Sequence, residues 1–204
     1  EAEDEPLEVD FLWSLTDGGS ERSFRQRLFD DPRVVRVTKS KVGLARWGGI
    51  VYSGIIDAML QTLASGPTDL DELAIDLASR YEVSASSIYL SSVAPIFKTS
   101  GGVIALRAAG DRYVSRHDPN KVAGLRILGP TLFELDQSVD TDMLRGSGRS
   151  LPPEVANLMN LAPGDEPLPL TTDLGSLVPL SWSMTSHTGP QIGSLKLLVE
   201  ANGI

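Results

Sequence analysis

The chain has 204 residues, no cysteine and a formal net charge of −9. That length suits one to three domains, and no apolar run approaches a membrane span. The lack of cysteine excludes disulfides and cysteine-ligated metals, and fits a reducing, cytoplasmic setting.

An acidic total predicts modest non-specific affinity for nucleic acid, but the charge is unevenly placed. Glu1, Glu3, Asp4, Glu5, Glu8 and Asp10 crowd the first ten residues, without a base among them. From Glu21 to Trp47, eight Arg or Lys face three acids, a local +5. A Debye length of about 8 Å lets such a segment hold phosphate while a distant acidic face does not interfere. The first residue is Glu1, not methionine, so the chain reads as either a fragment of something longer or a processed form.

In chain order, Glu1 to Pro6 reads as a solvated start, and Val9, Phe11, Leu12, Trp13 and Leu15 begin the packing. Thr16–Gly19 is a turn. Ser20 can cap a helix over Glu21–Phe29, with Phe24 and Leu28 on its apolar face. Arg22, Ser23, Arg25, Gln26 and Arg27 lie around the rest; the plainer reading of these charges is a solvated face. Asp31-Pro32 breaks the helix. Val34–Val37 and Val42–Ala45 form a hairpin over Thr38–Lys41, with Trp47 packed at its end and Lys39 and Lys41 at its tip.

Ile50, Val51, Ile55, Ile56, Met59, Leu60 and Leu63 make a long apolar stripe that predicts a helix ending at Ser65-Gly66-Pro67. Thr68, with Asp71 three residues on, predicts the cap of the next helix, whose buried face is Leu70, Leu73, Ala74 and Leu77. Tyr81–Val83 is a tight turn. Ser84 caps a further helix through Ser87, Ile88 and Leu90, closed by Pro95. Phe97-Lys98 and Val103–Leu106 are strands around Ser100-Gly101-Gly102. Helix, turn, helix, hairpin is the order of a winged helix-turn-helix, which commonly lays its second helix in the major groove. The exposed face of that helix would be Ser84, Ser86, Ser87 and Tyr89. It carries no arginine, and hydroxyls discriminate bases weakly, so a protein-contacting or architectural role stays open. Lys98, on the hairpin, is a further candidate contact.

The run SERSFRQRLFDDPRVVRVTKSKVGLARWG, with LAIDLASRYEVSASSIYLSSVAPIF after the long helix, resembles the tandem winged-helix region of bacterial sigma-factor-like DNA-binding proteins. It is similar to the HARE-type helix-turn-helix of the RNA polymerase delta subunit. The resemblance covers about Ser20 to Arg107. It implies contact with DNA or transcription machinery rather than catalysis.

Asp111–Asn120, with His117-Asp118-Pro119, reads as a linker. Leu125–Leu128 and Thr131–Leu135 suggest strands. Arg145–Ser150 reads as a flexible basic loop, and Leu151–Ala156 as a helix start with proline in its first turn. Leu161–Asp165 is a turn, Leu168–Thr171 and Val178–Met184 are strands, and Ile192–Ala201 is a last helix. The run RGSGRSLPPEVANLMNLAPGDE resembles the core of small swapped-hairpin DNA-binding barrels, over about twenty residues. That likeness makes Arg145 and Arg149 candidate DNA contacts.

The spelling GSGRS lacks the spacing and terminal Lys-Ser/Thr of a phosphate loop. His117 and His187 have no metal-ligand spacing. Asp136, Asp140 and Asp142 lack the glycine and terminal glutamate of a calcium loop, and no nucleophile-elbow spelling occurs. An enzyme, a metal or another cofactor is therefore not expected.

The expected architecture is α+β: two tandem winged helix-turn-helix units followed by a small α+β barrel-like domain. Residues 1–47 form a partial first winged helix, 48–109 the second, 110–120 a linker and 121–204 the last domain. The expected function is binding of duplex DNA by a module of a larger bacterial protein, either a transcription regulator or the recognition part of a defence system. Other domains of the same protein, or RNA polymerase, are expected as further partners, and a membrane is not. The rival is a protein–protein scaffold built from winged helices without nucleic-acid contact.

Overall fold

The computed structural model describes residues 5–108, 110, 111, 113, 115, 118–130 and 132–203. Glu1, Glu3 and Asp4 of the acidic start, together with His117 and Thr131, lie outside the described residues. The chain divides into two compact units, Glu1–Val93 with Phe97–Leu106, and Ala94–Ile96 with Arg107–Ile204. Among the described residues there are eight α-helices and four small antiparallel sheets, and none of the sheets closes into a barrel.

The first unit has two lobes. In the first, β1 (Leu7–Glu8) leads into α1 (Val9–Ser14), α2 (Glu21–Asp30) and a hairpin of β2 (Val34–Arg36) and β3 (Lys41–Leu44). The strand order is β1-β3-β2, with Leu7 opposite Val42 and Val35 opposite Gly43. In the second lobe, α3 (Ile55–Leu63), β4 (Thr68–Asp69), α4 (Leu70–Tyr81) and α5 (Ala85–Ser91) precede a hairpin of β5 (Phe97–Ser100) and β6 (Val103–Leu106). Its strand order is β4-β6-β5. Both lobes thus repeat one topology: a two-residue strand pairs with the returning strand of the hairpin. Met59, Leu73, Leu77, Ile88 and Ile104 are fully buried and form the core between α3, α4, α5 and β6.

Two boundaries differ from expectation for local physical reasons. Asp69, not Thr68, caps α4. Its carboxylate accepts from the backbone N–H groups of Asp71 and Glu72, while Thr68 pairs with Ile104 in the sheet. An ionised acceptor bonds those N–H groups more strongly than a hydroxyl does. The apolar stripe from Ile50 is not all helix. Gly54, at φ 131°, starts α3, and Ile50 and Val51 are exposed before it.

The second unit holds β7 (Leu125–Ile127) and β8 (Phe133–Leu135) as a hairpin, then α6 (Thr141–Leu144), β9 (Arg149–Ser150) and α7 (Pro153–Leu158). The hairpin of β10 (Leu168–Thr171) and β11 (Leu177–Ser181), then β12 (Gln191–Ile192) and α8 (Lys196–Ala201), complete it. Its main sheet is open, ordered β10-β11-β12-β9, in place of the expected barrel-like closure. The expected helix from Ile192 begins only at Lys196, because Gln191 and Ile192 pair with both β9 and β11. The core is Leu125, Leu151, Val155, Ala156, Leu161, Leu180 and Trp182. Part of the segment read as a linker belongs to this unit. The Tyr113 ring meets Trp182 edge-on at 5.0 Å, and the Ser115 hydroxyl donates to the buried Glu154 carboxylate.

Candidate nucleic-acid interface

Helix α2 forms where the sequence places it. Ser20 is extended, and its hydroxyl accepts from the Ser23 N–H at 3.5 Å. Glu21 in the first turn and Arg27 in the last complement the helix dipole. Trp13 and Phe24, with ring centroids 5.4 Å apart, pack the helix against α1.

The cations of this segment divide sharply by partner. Arg25 is held by Asp10 at 2.5 Å and by Glu21 at 2.7 Å, and the hydrogen bond it donates to Glu21 raises its pKa. Gln26 donates to both oxygens of Asp30 at 3.0 Å. Arg36 lies over the rings of Phe29 and Tyr52, at 5.1 and 5.3 Å. The Arg27 Nε donates to the Ser23 carbonyl at 3.3 Å, leaving the rest of its guanidinium exposed. Arg22 is exposed and has no acidic partner among the described residues.

The hairpin tip does not project as a wing would. Lys41 Nζ lies 2.5 Å from the Glu82 carboxylate and 3.6 Å from Glu8. Thr38 and Ser40 also donate to Glu82, at 2.9 and 2.8 Å. The Lys39 N–H bonds the Tyr81 carbonyl at 3.0 Å, with the Lys39 side chain left exposed. The tip is thus clasped onto the end of α4, where Glu82 takes the left-handed conformation at φ 55°. These donors, led by Lys41, lower the Glu82 pKa to about 2.

Arg33 and Arg46 count toward the basic segment but are not among the expected contact residues. Both line a cleft of about 620 Å³ at the open end of the hairpin, together with Asp31, Val34 and Leu44. Arg33 pairs with Asp31 at 2.6 Å. The signal was the hairpin register: Val34 faces Leu44, so residues just outside that pair meet at one end.

On α5, Ser84 caps the helix by accepting from the Ser87 N–H at 3.2 Å. The Ser84 hydroxyl also shares hydrogen bonds with Ser86 and Ser87, at 3.0 and 2.7 Å. Tyr89 donates to Asp71 on α4 at 2.7 Å, which raises the Tyr89 pKa. Lys98 is exposed on β5, opposite Ala105.

In the second unit, Arg145 is exposed, 3.6 Å from Asp142. Arg149 is half-buried and ion-paired to Asp140, the cap of α6. The Asp140 carboxyl is lowered by the Met143 N–H and then by Arg149. The expected flexible loop is therefore tied down at its end: Arg149-Ser150 is β9, and Gly148 lies so close to the Ile192 carbonyl that a Cβ there would come within 2.5 Å of its oxygen.

Among the described residues no group of three or more His, Cys, Asp or Glu could hold a metal, and no helix is long and apolar enough to cross a membrane. No protein-family model, curated protein or solved structure matches the chain.

Proposed function

We propose that this chain is the DNA-contacting part of a larger bacterial protein, a transcription regulator or the recognition part of a defence system, with two tandem winged helix-turn-helix lobes. The observation that carries this reading is the shared topology of the lobes, β1-β3-β2 and β4-β6-β5, each with helices before its hairpin. In the second lobe, α4, a short turn and α5 stand in helix-turn-helix order. The local +5 of Glu21–Trp47 assigns the phosphate contacts to the first lobe. Within it Arg22, Arg27, Lys39 and Arg46 are the exposed cations for that role, since Arg25 and Lys41 already hold acids.

A mobility-shift titration on generic duplex DNA at low salt tests this. The parent chain is expected to retard the duplex, and Arg22→Ala with Arg27→Ala to weaken retardation. A parent that leaves the duplex unretarded at low salt would overturn the reading. A second reading, a winged-helix scaffold for protein partners, is favoured by one observation: the outward face of α5 is uncharged and partly apolar.

A further inference from the structure

The basic segment Glu21–Trp47 is followed along the chain by an acidic one. Between Gly48 and Ile96 the chain has six acids and one base, Arg80, and that base is paired with Asp76 at 2.7 Å. The acids gather on α4: Asp69 caps it, Asp71 and Glu72 fill its first turn, and Asp76 follows.

Beside these acids lies exposed apolar surface. Helix α5 buries Ile88 and Ser91 inward. Its outer positions Ser86, Tyr89 and Leu90 follow the i, i+3, i+4 spacing of one face, and exposed Val93 lies in the turn just after the helix. Leu90 and Val93 are 57% and 59% exposed. Tyr89 ties this face to α4 through Asp71, and Ile75, one turn further along α4, is 70% exposed. Isolated exposed apolar residues are ordinary, but a cluster rimmed by charge marks an interaction site. A duplex laid along α5 would bring phosphates toward Asp71 and Glu72 with no cation on the helix to meet them.

We infer that the α4–α5 face docks a basic amphipathic helix of a partner protein. Apolar side chains of that helix would cover Leu90, Val93 and Ile75, while its Lys or Arg residues would meet Glu72 and Asp71. The charge of the face selects this occupant over an acidic helix or a nucleic acid. The inference concerns a different face from the proposed phosphate contacts, so failure of either leaves the other standing.

The test uses the full chain and a fluorescent synthetic helix of leucine and lysine, roughly five turns long. A leucine–glutamate helix with the same apolar stripe is the control. Binding is read by anisotropy. The Leu/Lys helix is expected to bind and the Leu/Glu helix not to. Leu90→Ser with Val93→Ser, which leaves the charge unchanged, should weaken binding by about tenfold or more, because each covered side chain of this size is worth roughly that factor. An unchanged melting temperature in that variant keeps the comparison valid, and Ile75→Ser, at a different helix, should weaken binding in the same sense. Equal binding of the two helices, or parent-like binding of both variants, overturns the inference. So does loss of DNA retardation in the Leu90/Val93 variant, which would assign the face to nucleic acid. A parent dimer that dissociates in the variant would assign it to a second copy of the chain, and overturns it as well.

Discussion

Glu82 is the residue on which the first unit turns. It takes a left-handed backbone at the end of α4 and gathers three donors from a hairpin some forty residues earlier. Its pKa falls from an ordinary 4.5 to about 2. A carboxyl depressed in the folded state gives stability that is present above 4.5 and lost as pH falls toward 2. Urea denaturation of the parent should therefore show stability declining across that window. Glu82→Gln should make the decline shallower without abolishing it, since Asp31 is likewise lowered to about 2 by Arg33. An identical pH profile for parent and variant would remove Glu82 from this role. Gly43 is the second decisive residue. A Cβ there would stand 3.0 Å from the Trp47 ring and 3.2 Å from Val37. Gly43→Ala should cost about 1–3 kcal/mol, as overpacking does, measured by thermal or urea unfolding. Trp47 packs under the hairpin as its spacing predicts, though half-buried and with an indole N–H that has no hydrogen-bond partner among the described residues. Trp47→Ala should sit near the low end of aromatic truncations, about 3 kcal/mol.

At the scale of elements, α2 and α4 separate charge that builds structure from charge left for a partner. Arg25 bridges α2 to Asp10 on α1, so Arg25→Ala should lower stability. Arg22, on the same helix but without an acidic partner among the described residues, should affect DNA retardation with stability little changed. A mobility shift paired with a melting curve for each variant distinguishes the two; the reverse pattern would mean that the ion pair does not hold α1 to α2. In α4, the cap is assigned to Asp69. Asp69→Ala should cost about 1 kcal/mol, and Thr68→Ala less, because the Thr68 contribution to the sheet is made by its backbone.

For the whole molecule, the second unit sets its own requirement. Tyr113 packs on Trp182, and the Glu154 carboxylate is met by Ser115, so residues before the β7 strand complete the core. A fragment of residues 107–204 should therefore bury Trp182 and show blue-shifted emission, whereas 121–204 should show red-shifted emission and melt lower. Equal spectra would mean that the core is complete without Tyr113. The assembled chain is also where DNA affinity is to be judged against its −9 charge. Affinity should fall with salt at a log–log slope of about −0.9 per phosphate contacted. A slope near zero at measurable affinity would exclude phosphate contact as its source.

The sequence by itself determined the local elements of the first unit. Ser20 and Ser84 fix helix starts, Asp31-Pro32 stops α2, and the alternation in Val34–Leu44 and Phe97–Leu106 makes both hairpins. These depend on neighbours within a few residues, so periodicity and capping chemistry suffice to read them. The tertiary structure alone decided which charges remain for a partner. Arg25 and Arg22 look alike along α2, and Lys39 and Lys41 look alike at the hairpin tip. Yet Asp10 occupies Arg25, and Glu82 occupies Lys41. It decided too that the main sheet of the second unit stays open, because the pairing of Gln191 and Ile192 with Ser150 and Arg149 joins strands some forty residues apart. Such contacts depend on distance in space, which no local pattern of residue types encodes.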